Sequence, residues 1–194
     1  MMSISLTIYM VLLAAVAAQR LLELRLASRN TDLLVKFGAE EVASGHYTAM
    51  RLLHGSWLIC CAAEAFWRGE LPPVWVAAVG LLGLLTGQLL RVSAMRALGP
   101  RWTTRILVMP GLPPVTEGVY RWLRHPNYLG VILELAALPL IFGGTLTAVF
   151  FTAANLVLLV CVRIPAEEAA LVRVNQYADF LDGQGRLVSE RSTR

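Results

Sequence analysis

Five stretches of this chain, Ile4–Gln19, Leu52–Trp67, Val74–Leu90, Tyr128–Phe142 and Thr145–Val162, are nearly free of charge. In lipid, backbone polar groups must be satisfied inside the segment, so such runs are restricted to helix. About 17–20 apolar residues cross roughly 30 Å of hydrocarbon, and each run sits near or just below that limit, so flanking residues complete the crossing. The expected fold is therefore an all-α integral membrane protein with about five transmembrane helices. Only 15% of the 194 residues are charged, against about 25% in soluble domains, which leaves no room for a separate soluble unit. Residues 1–194 read as one membrane domain, with a three-helix part over 1–90 and a loop-bearing part over 91–194.

Charge placement assigns the sides. The segments before Ile4, around Trp67–Pro73 and at Gly143-Gly144 carry Arg68, while the other sixteen of the 17 Lys and Arg fall in residues 20–51, 91–127 and 163–194. By the positive-inside rule those three segments are cytoplasmic, with the N-terminus outside and the C-terminus inside. The net charge of +4 then reflects topology and anionic membrane lipids. It is no nucleic-acid footprint, because no basic and aromatic patch lies outside the membrane-flanking loops. Cys60, Cys61 and Cys161 fall inside the spans and read as small buried hydrophobes. Ala15-Val16-Ala17 has the form of a leader cleavage site, but Met-Met-Ser-Ile-Ser lacks the basic start of a leader, so the first span is expected to stay.

The first helix continues through Arg20-Leu21-Leu22-Glu23-Leu24-Arg25-Leu26 into the headgroup layer, and residues 27–50 form a connector broken by Gly38 and Gly45. The second and third spans make a hairpin across Gly69-Glu70-Leu71-Pro72-Pro73, and the fourth and fifth make a C-terminal hairpin across Gly143-Gly144. Pro110-Gly111-Leu112-Pro113-Pro114 forbids helix in the loop before the fourth span. Pro165 suits the first position of a new cytoplasmic helix, with Glu167 and Glu168 in its first turn. No small-residue stripe marks a helix interface.

The chemistry concentrates where the apolar chain surfaces. Gly118-Val119-Tyr120-Arg121-Trp122-Leu123-Arg124-His125-Pro126-Asn127-Tyr128 abuts the fourth span, and Arg163, Pro165, Glu167 and Glu168 follow the fifth. Ionisable groups at membrane exits are costly and are functional candidates by default. The chain lacks Gly-x-Gly-x-x-Gly, Walker, His-Glu-x-x-His and Gly-x-Ser-x-Gly sequences, so any cofactor is bound by helices and loops at the membrane surface.

Gly118 to Tyr120, then Arg124-His125-Pro126-Asn127-Tyr128-Leu129-Gly130, then Arg163-x-x-x-Glu167-Glu168-x-x-Leu171 resemble the isoprenylcysteine carboxyl methyltransferase family. The likeness covers about residues 91–188. It implies an integral membrane enzyme using S-adenosyl-L-methionine, with S-adenosylhomocysteine as product. It further implies that Leu112, Pro113, Pro114, Val115, Tyr120, His125, Pro126, Asn127, Tyr128 and Glu167 line the cofactor while Arg163 faces the acceptor. Gln19-Arg20, His46-Tyr47 and Leu53-His54 resemble a bacterial branch whose members accompany type III polyketide synthases and methylate alkylresorcinols or alkylpyrones. That branch implies a bacterial inner-membrane location. After Leu171 the chain departs from the family, with Asn175-Gln176-Tyr177 and Val188-Ser189 in place of the usual tail residues.

The residue types also suit the cofactor on chemical grounds, since carboxylates match its diol or ammonium and aromatic rings match its sulfonium and adenine. Glu167, four residues after Arg163, shares its face, which makes Glu168 the bland member. Arg121 and Arg124 read as either site groups or interface anchors beside Trp122. Glu134 lies mid-span, where an acid costs on the order of 2.5–3.5 kcal/mol; it needs a partner such as His54 or an Arg, and reads as either a satisfied interhelix group or a general base. His54 reads as either a packed side chain or a base, His46 likewise, and Glu64 as structural.

The expected reaction is methyl transfer to an oxygen of a lipophilic small-molecule acceptor. A phenol, with a pKa near 10, needs deprotonation by Glu134, His54 or His46, whereas a carboxylate is already ionised. The alternatives are prenylcysteine carboxyl methylation, phospholipid N-methylation and an NADPH-dependent reductase of the sterol type.

Overall fold

The computed structural model describes residues 3–113 and 115–175. Its elements run α1 (Ile4–Lys36), β1 (Glu40–Glu41), α2 (Tyr47–Arg68), α3 (Val74–Leu98), β2 (Leu107–Val108), α4 (Pro126–Leu140), α5 (Thr145–Leu158) and α6 (Ile164–Asn175). The all-α membrane expectation holds. Three helices, Ile4–Lys36, Val74–Arg101 and Thr145–Arg173, are long and apolar enough to cross a membrane. The other two are lesser members: α2 carries Arg51, His54 and Glu64, and the 15 residues of α4 rise only about 22 Å. Ile4, Val74 and Val149 are among many large apolar side chains left exposed around the bundle. Water would penalise that surface and lipid does not.

The core explains the order of packing. Tyr9, Leu13 and Val16 of α1, Trp57 and Cys61 of α2, Leu84 of α3, Leu135 and Leu138 of α4 and Phe151 of α5 form one buried cluster. Tyr9 stacks on Phe142 at 5.1 Å and donates from its hydroxyl to the Leu138 carbonyl at 3.1 Å. The closest pair is α3 with α4, because glycines let the backbones meet. A Cβ on Gly80 would stand 2.9 Å from the Ala137 carbonyl oxygen, and one on Gly87 would stand 2.8 Å from that of Gly130. Gly80, Gly83 and Gly87 thus form a small-residue stripe after all, serving an intramolecular interface.

Three other expectations change. The residues assigned to a connector begin as helix, since α1 runs on past Leu26 to Lys36 and buries Ala27, Asn30 and Leu34. Asn30 donates to the Trp102 carbonyl at 2.7 Å, and the break comes at Gly38, whose φ is +91°. The link over Gly69–Pro73 exists, but α2 packs chiefly on α1, α4 and α5 while α3 packs on α4, so the second and third helices are not a packed hairpin. Finally, Pro165 starts no separate helix. The chain passes from α5 through a π-helical turn, Leu159–Arg163, directly into α6. Proline cannot donate to the carbonyl four residues back, and a widened turn ahead of it accommodates the loss.

Two features hold the ends. At one end of the bundle Glu64 accepts from the Leu146 and Thr147 amides at 3.2 and 2.8 Å, satisfying the start of α5, and pairs with Arg68 at 3.8 Å. This is the structural role expected of Glu64. At the opposite end β1 and β2 pair antiparallel, Glu40 with Val108 and Glu41 with Leu107. The ribbon packs Val108 and Ile106 against Ala166 and Ala170 of α6. Two-residue strands carry no legible pattern, and none was expected.

Candidate active site

α4 starts where its motif dictates. Pro126 occupies the first helical position, preset for helix and needing no donor, and the His125 carbonyl accepts from the Tyr128 and Leu129 amides, each at 3.1 Å. This places His125, Asn127 and Tyr128 at one mouth of the bundle, facing the π turn and α6.

A chain of hydrogen bonds fixes Tyr128. Arg163 Nε donates to its hydroxyl at 2.8 Å, and the hydroxyl in turn donates to Glu167. The Arg163 guanidinium also donates to the Thr104 carbonyl at 2.7 Å, and Thr104 shares a hydrogen bond with the Tyr47 hydroxyl at 3.1 Å. Arg163 and Glu167 therefore converge on one tyrosine, where the spacing had placed them on one face. Glu168 is not bland: its carboxylate bonds His125 Nε2 at 3.2 Å and Arg124 at 2.9 Å. The His125 ring stacks on Tyr128 with centroids 5.3 Å apart. Arg124 thus belongs to the site's support, whereas Arg121 lies over Trp122 at 5.8 Å, as an interface anchor would.

These groups surround a cavity of about 560 Å³ that extends from the loop residues Trp102 and Val115 to Trp57 and Leu58 of α2. Leu112, Val115, Tyr120, His125, Asn127, Tyr128 and Glu167 line it, as do Arg163 and His54. His125 and Glu167 thus serve one ligand-sized space. Asn127 Oδ1 is a buried acceptor with no partner among the described residues, which is costly unless something fills it. Ala17, Leu21 and Leu24 of α1 and Gly55, Trp57 and Leu58 of α2 add apolar lining beside Arg20, Glu23, Arg51 and His54 of the same helices. Pro113 and Pro126 stand beside the cavity without lining it; the Pro113 carbonyl accepts from Arg101 at 2.9 Å. Pro114 and the tail residues Gln176, Tyr177, Val188 and Ser189 lie outside the described residues.

Glu134 is elsewhere. It is 1% exposed, does not line the cavity, and is held by Arg20 and by Arg91, the latter at 3.4 Å. Arg91 and Arg20 also pair with Glu23, and Gln19 donates to Glu23 at 2.9 Å and to Gln88 at 2.7 Å. The Arg partner that a mid-span acid requires is thus present twice, in a neutral quartet joining α1, α3 and α4. Glu23 had read as a headgroup residue, and its burial is invisible in sequence because Leu-rich helix with scattered charge fits both settings. His46 does not line the cavity either; burial, then the Arg163 guanidinium, lowers its pKa below the usual imidazole value.

The model of the isoprenylcysteine carboxyl methyltransferase (ICMT) family matches residues 78–173, the stretch that builds this mouth. The chain belongs to the ICMT family. The uncharacterised protein YpbQ of Bacillus subtilis is 36% identical over 163 residues, covering 84% of this chain and 96% of that one. A protein-S-isoprenylcysteine O-methyltransferase of Mus musculus is 34% identical over 86 residues, but these cover 43% of this chain and only 30% of the mouse enzyme. The chain thus matches YpbQ nearly end to end and the mammalian ICMT member over less than a third of its length. The solved structure of a eukaryotic intramembrane Ras methyltransferase, ICMT, shares the fold, with a TM-score of 0.58 at 24% identity over 71% of this chain and 51% of that chain.

Proposed function

We propose that this ICMT-family protein transfers a methyl group from S-adenosyl-L-methionine to an oxygen of a lipophilic acceptor. The observation that carries this is one cavity that joins a polar mouth at α4 and α6 to apolar lining from α1 and α2. An amphipathic acceptor and a nucleoside-bearing donor need those two surfaces in that order.

The residues at the mouth suit the donor. Glu167 offers a carboxylate, Asn127 Oδ1 an unpartnered acceptor, and Tyr120 and Tyr128 their rings. When bound, the sulfonium supplies an electrophilic methyl group. The chain's own residues then orient and exclude water. Arg163 and Tyr128 hold Glu167 in place before any ligand arrives, so less ordering is paid for on binding. Glu168 and Arg124 fix the His125 ring, and Trp57 and Leu58 keep the deeper cavity apolar. Positioning of this kind can supply several kcal/mol of a transfer barrier.

For the acceptor we favour the hydroxyl of an alkylresorcinol or alkylpyrone, of the sort a type III polyketide synthase makes. The chain matches YpbQ over 96% of that protein and the mouse enzyme over only 30%, so the mouse enzyme's acceptor does not carry over with the match. The name of the Mus musculus relative supports a prenylcysteine carboxylate as the second reading. The test incubates the purified protein with labelled S-adenosyl-L-methionine and each acceptor class, with lipid extracts as a further arm, and identifies products by mass spectrometry. Methylation of none of them ends the proposal; nitrogen methylation of phospholipid would replace it. Glu167→Ala is expected to weaken cofactor binding about 10- to 100-fold, the value of one charged hydrogen bond, as read by calorimetry. An unchanged dissociation constant removes Glu167 from the cofactor site.

A further inference from the structure

Resting on the hydroxyl-methylating reading, we propose that His54 is the general base of this site, taking the acceptor's proton at Nε2.

The cavity itself narrows the choice. A base must be able to touch the acceptor and must have a lone pair to spare. Glu134 and His46 do not line the cavity. Glu23 does, but Arg20 and Arg91 hold its carboxylate. Glu167 accepts from Tyr128, and His125 is bonded to Glu168. His54 lines the cavity, and its Nε2 is buried without a partner among the described residues. An orphaned nitrogen of that kind costs about 1–3 kcal/mol unless a ligand group satisfies it.

The rest of the ring is arranged for the task. In the tautomer with its ring proton on Nδ1, the unpartnered Nε2 keeps the lone pair that a base needs. Arg20, Arg91 and Arg163 line the same cavity. Their guanidiniums favour an oxyanion on an acceptor held there, which helps an acidic hydroxyl to give up its proton. Gly55, next in sequence, has open space where a Cβ would stand, which leaves room for an alkyl chain beside the ring.

In the step, the acceptor's O–H bond breaks and its proton is held at Nε2. The electron pair left on oxygen forms the new carbon–oxygen bond, and the pair of the old carbon–sulfur bond stays with sulfur. The imidazolium then returns its proton to cytoplasmic water through the mouth. A carboxylate acceptor would not use His54 in this way.

The test uses the full-length protein in detergent and needs no cofactor in its first arm. The probe is 4-nonyl-2-nitrophenol, whose phenolate absorbs visible light. The bound probe is expected to ionise at a pH at least one unit higher in His54→Gln than in the unmodified protein, while Glu134→Gln leaves its titration in place. Identical titration in His54→Gln overturns the inference whether or not any methylation is found. In the second arm, His54→Gln is expected to lose about a hundredfold in turnover of an alkylresorcinol and less than tenfold with N-acetyl-farnesylcysteine. Equal losses with both acceptors also overturn it. Cofactor affinity checks that the variant is folded, and His54→Asn replaces it if it is not. If the unmodified protein methylates neither acceptor, the methyltransferase reading fails separately, and the probe titration still decides whether His54 takes a proton.

Discussion

The two walls of the cavity are built on opposite terms. On one side α3 and α4 meet backbone to backbone, with Gly87 against Gly130 and the Arg20–Glu23–Arg91–Glu134 quartet set just beneath. On the other side α1 and α2 face each other across Leu21, Leu24, Gly55 and Leu58, and a Cβ on Gly55 would touch nothing within 4 Å. Glycine does contrary work in the two places. At Gly87 it removes bulk so that helices can close, and at Gly55 it leaves a gap open. A rigid wall can hold a reacting group to tenths of an ångström, and a slack one can admit acceptors of varied chain length.

This contrast can be broken by substitution. Glu134→Ala should have the largest effect, since it strips the buried Arg91 and the half-buried Arg20 of a partner. A loss of about 3–5 kcal/mol is expected, read as thermal unfolding in detergent, and a loss below about 1 kcal/mol would mean that the quartet does not hold the wall. Gly87→Val should follow at about 1–3 kcal/mol, because its Cβ would stand 2.8 Å from a backbone oxygen that cannot move away. The same measurement checks it, and a silent result would show the α3–α4 interface to be looser than drawn. Gly55→Ala should be smallest, a gain of no more than about 1 kcal/mol from reduced backbone freedom. A destabilised Gly55→Ala protein would mean that the slack wall is in fact closed.

How far the sequence could be read follows from range. The apolar runs are local, so the membrane class, the Gly143-Gly144 hairpin and the start of α4 at Pro126 were legible residue by residue. The two motifs were also local, and the structure brings their His125, Tyr128, Arg163 and Glu167 to one cavity. What the sequence hid was pairing across distance. Glu23 finds Arg91 68 positions away, and nothing in Leu-Glu-Leu-Arg announces it. Glu134 advertised its need for a cation, yet several arginines qualified. The choice between Glu167 and Glu168 failed differently: both acids are engaged, because partners on two sides of α6 compete for adjacent positions. The Gly80–Gly83–Gly87 stripe was present in the letters, but only a facing helix gives it meaning.

The π-helical turn at Leu159–Arg163 carries a consequence for how such a mouth can change over time. Successive residues of a regular helix point about 100° apart, and a widened turn holds one residue more than its neighbours. Deleting a single position there would swing α6 by about that angle, bringing Glu168 round to Tyr128 and leaving Ala169 to face His125. The angular phase of two carboxylates thus rests on one surplus residue, an economical place for lineages to re-aim a site without redesigning it.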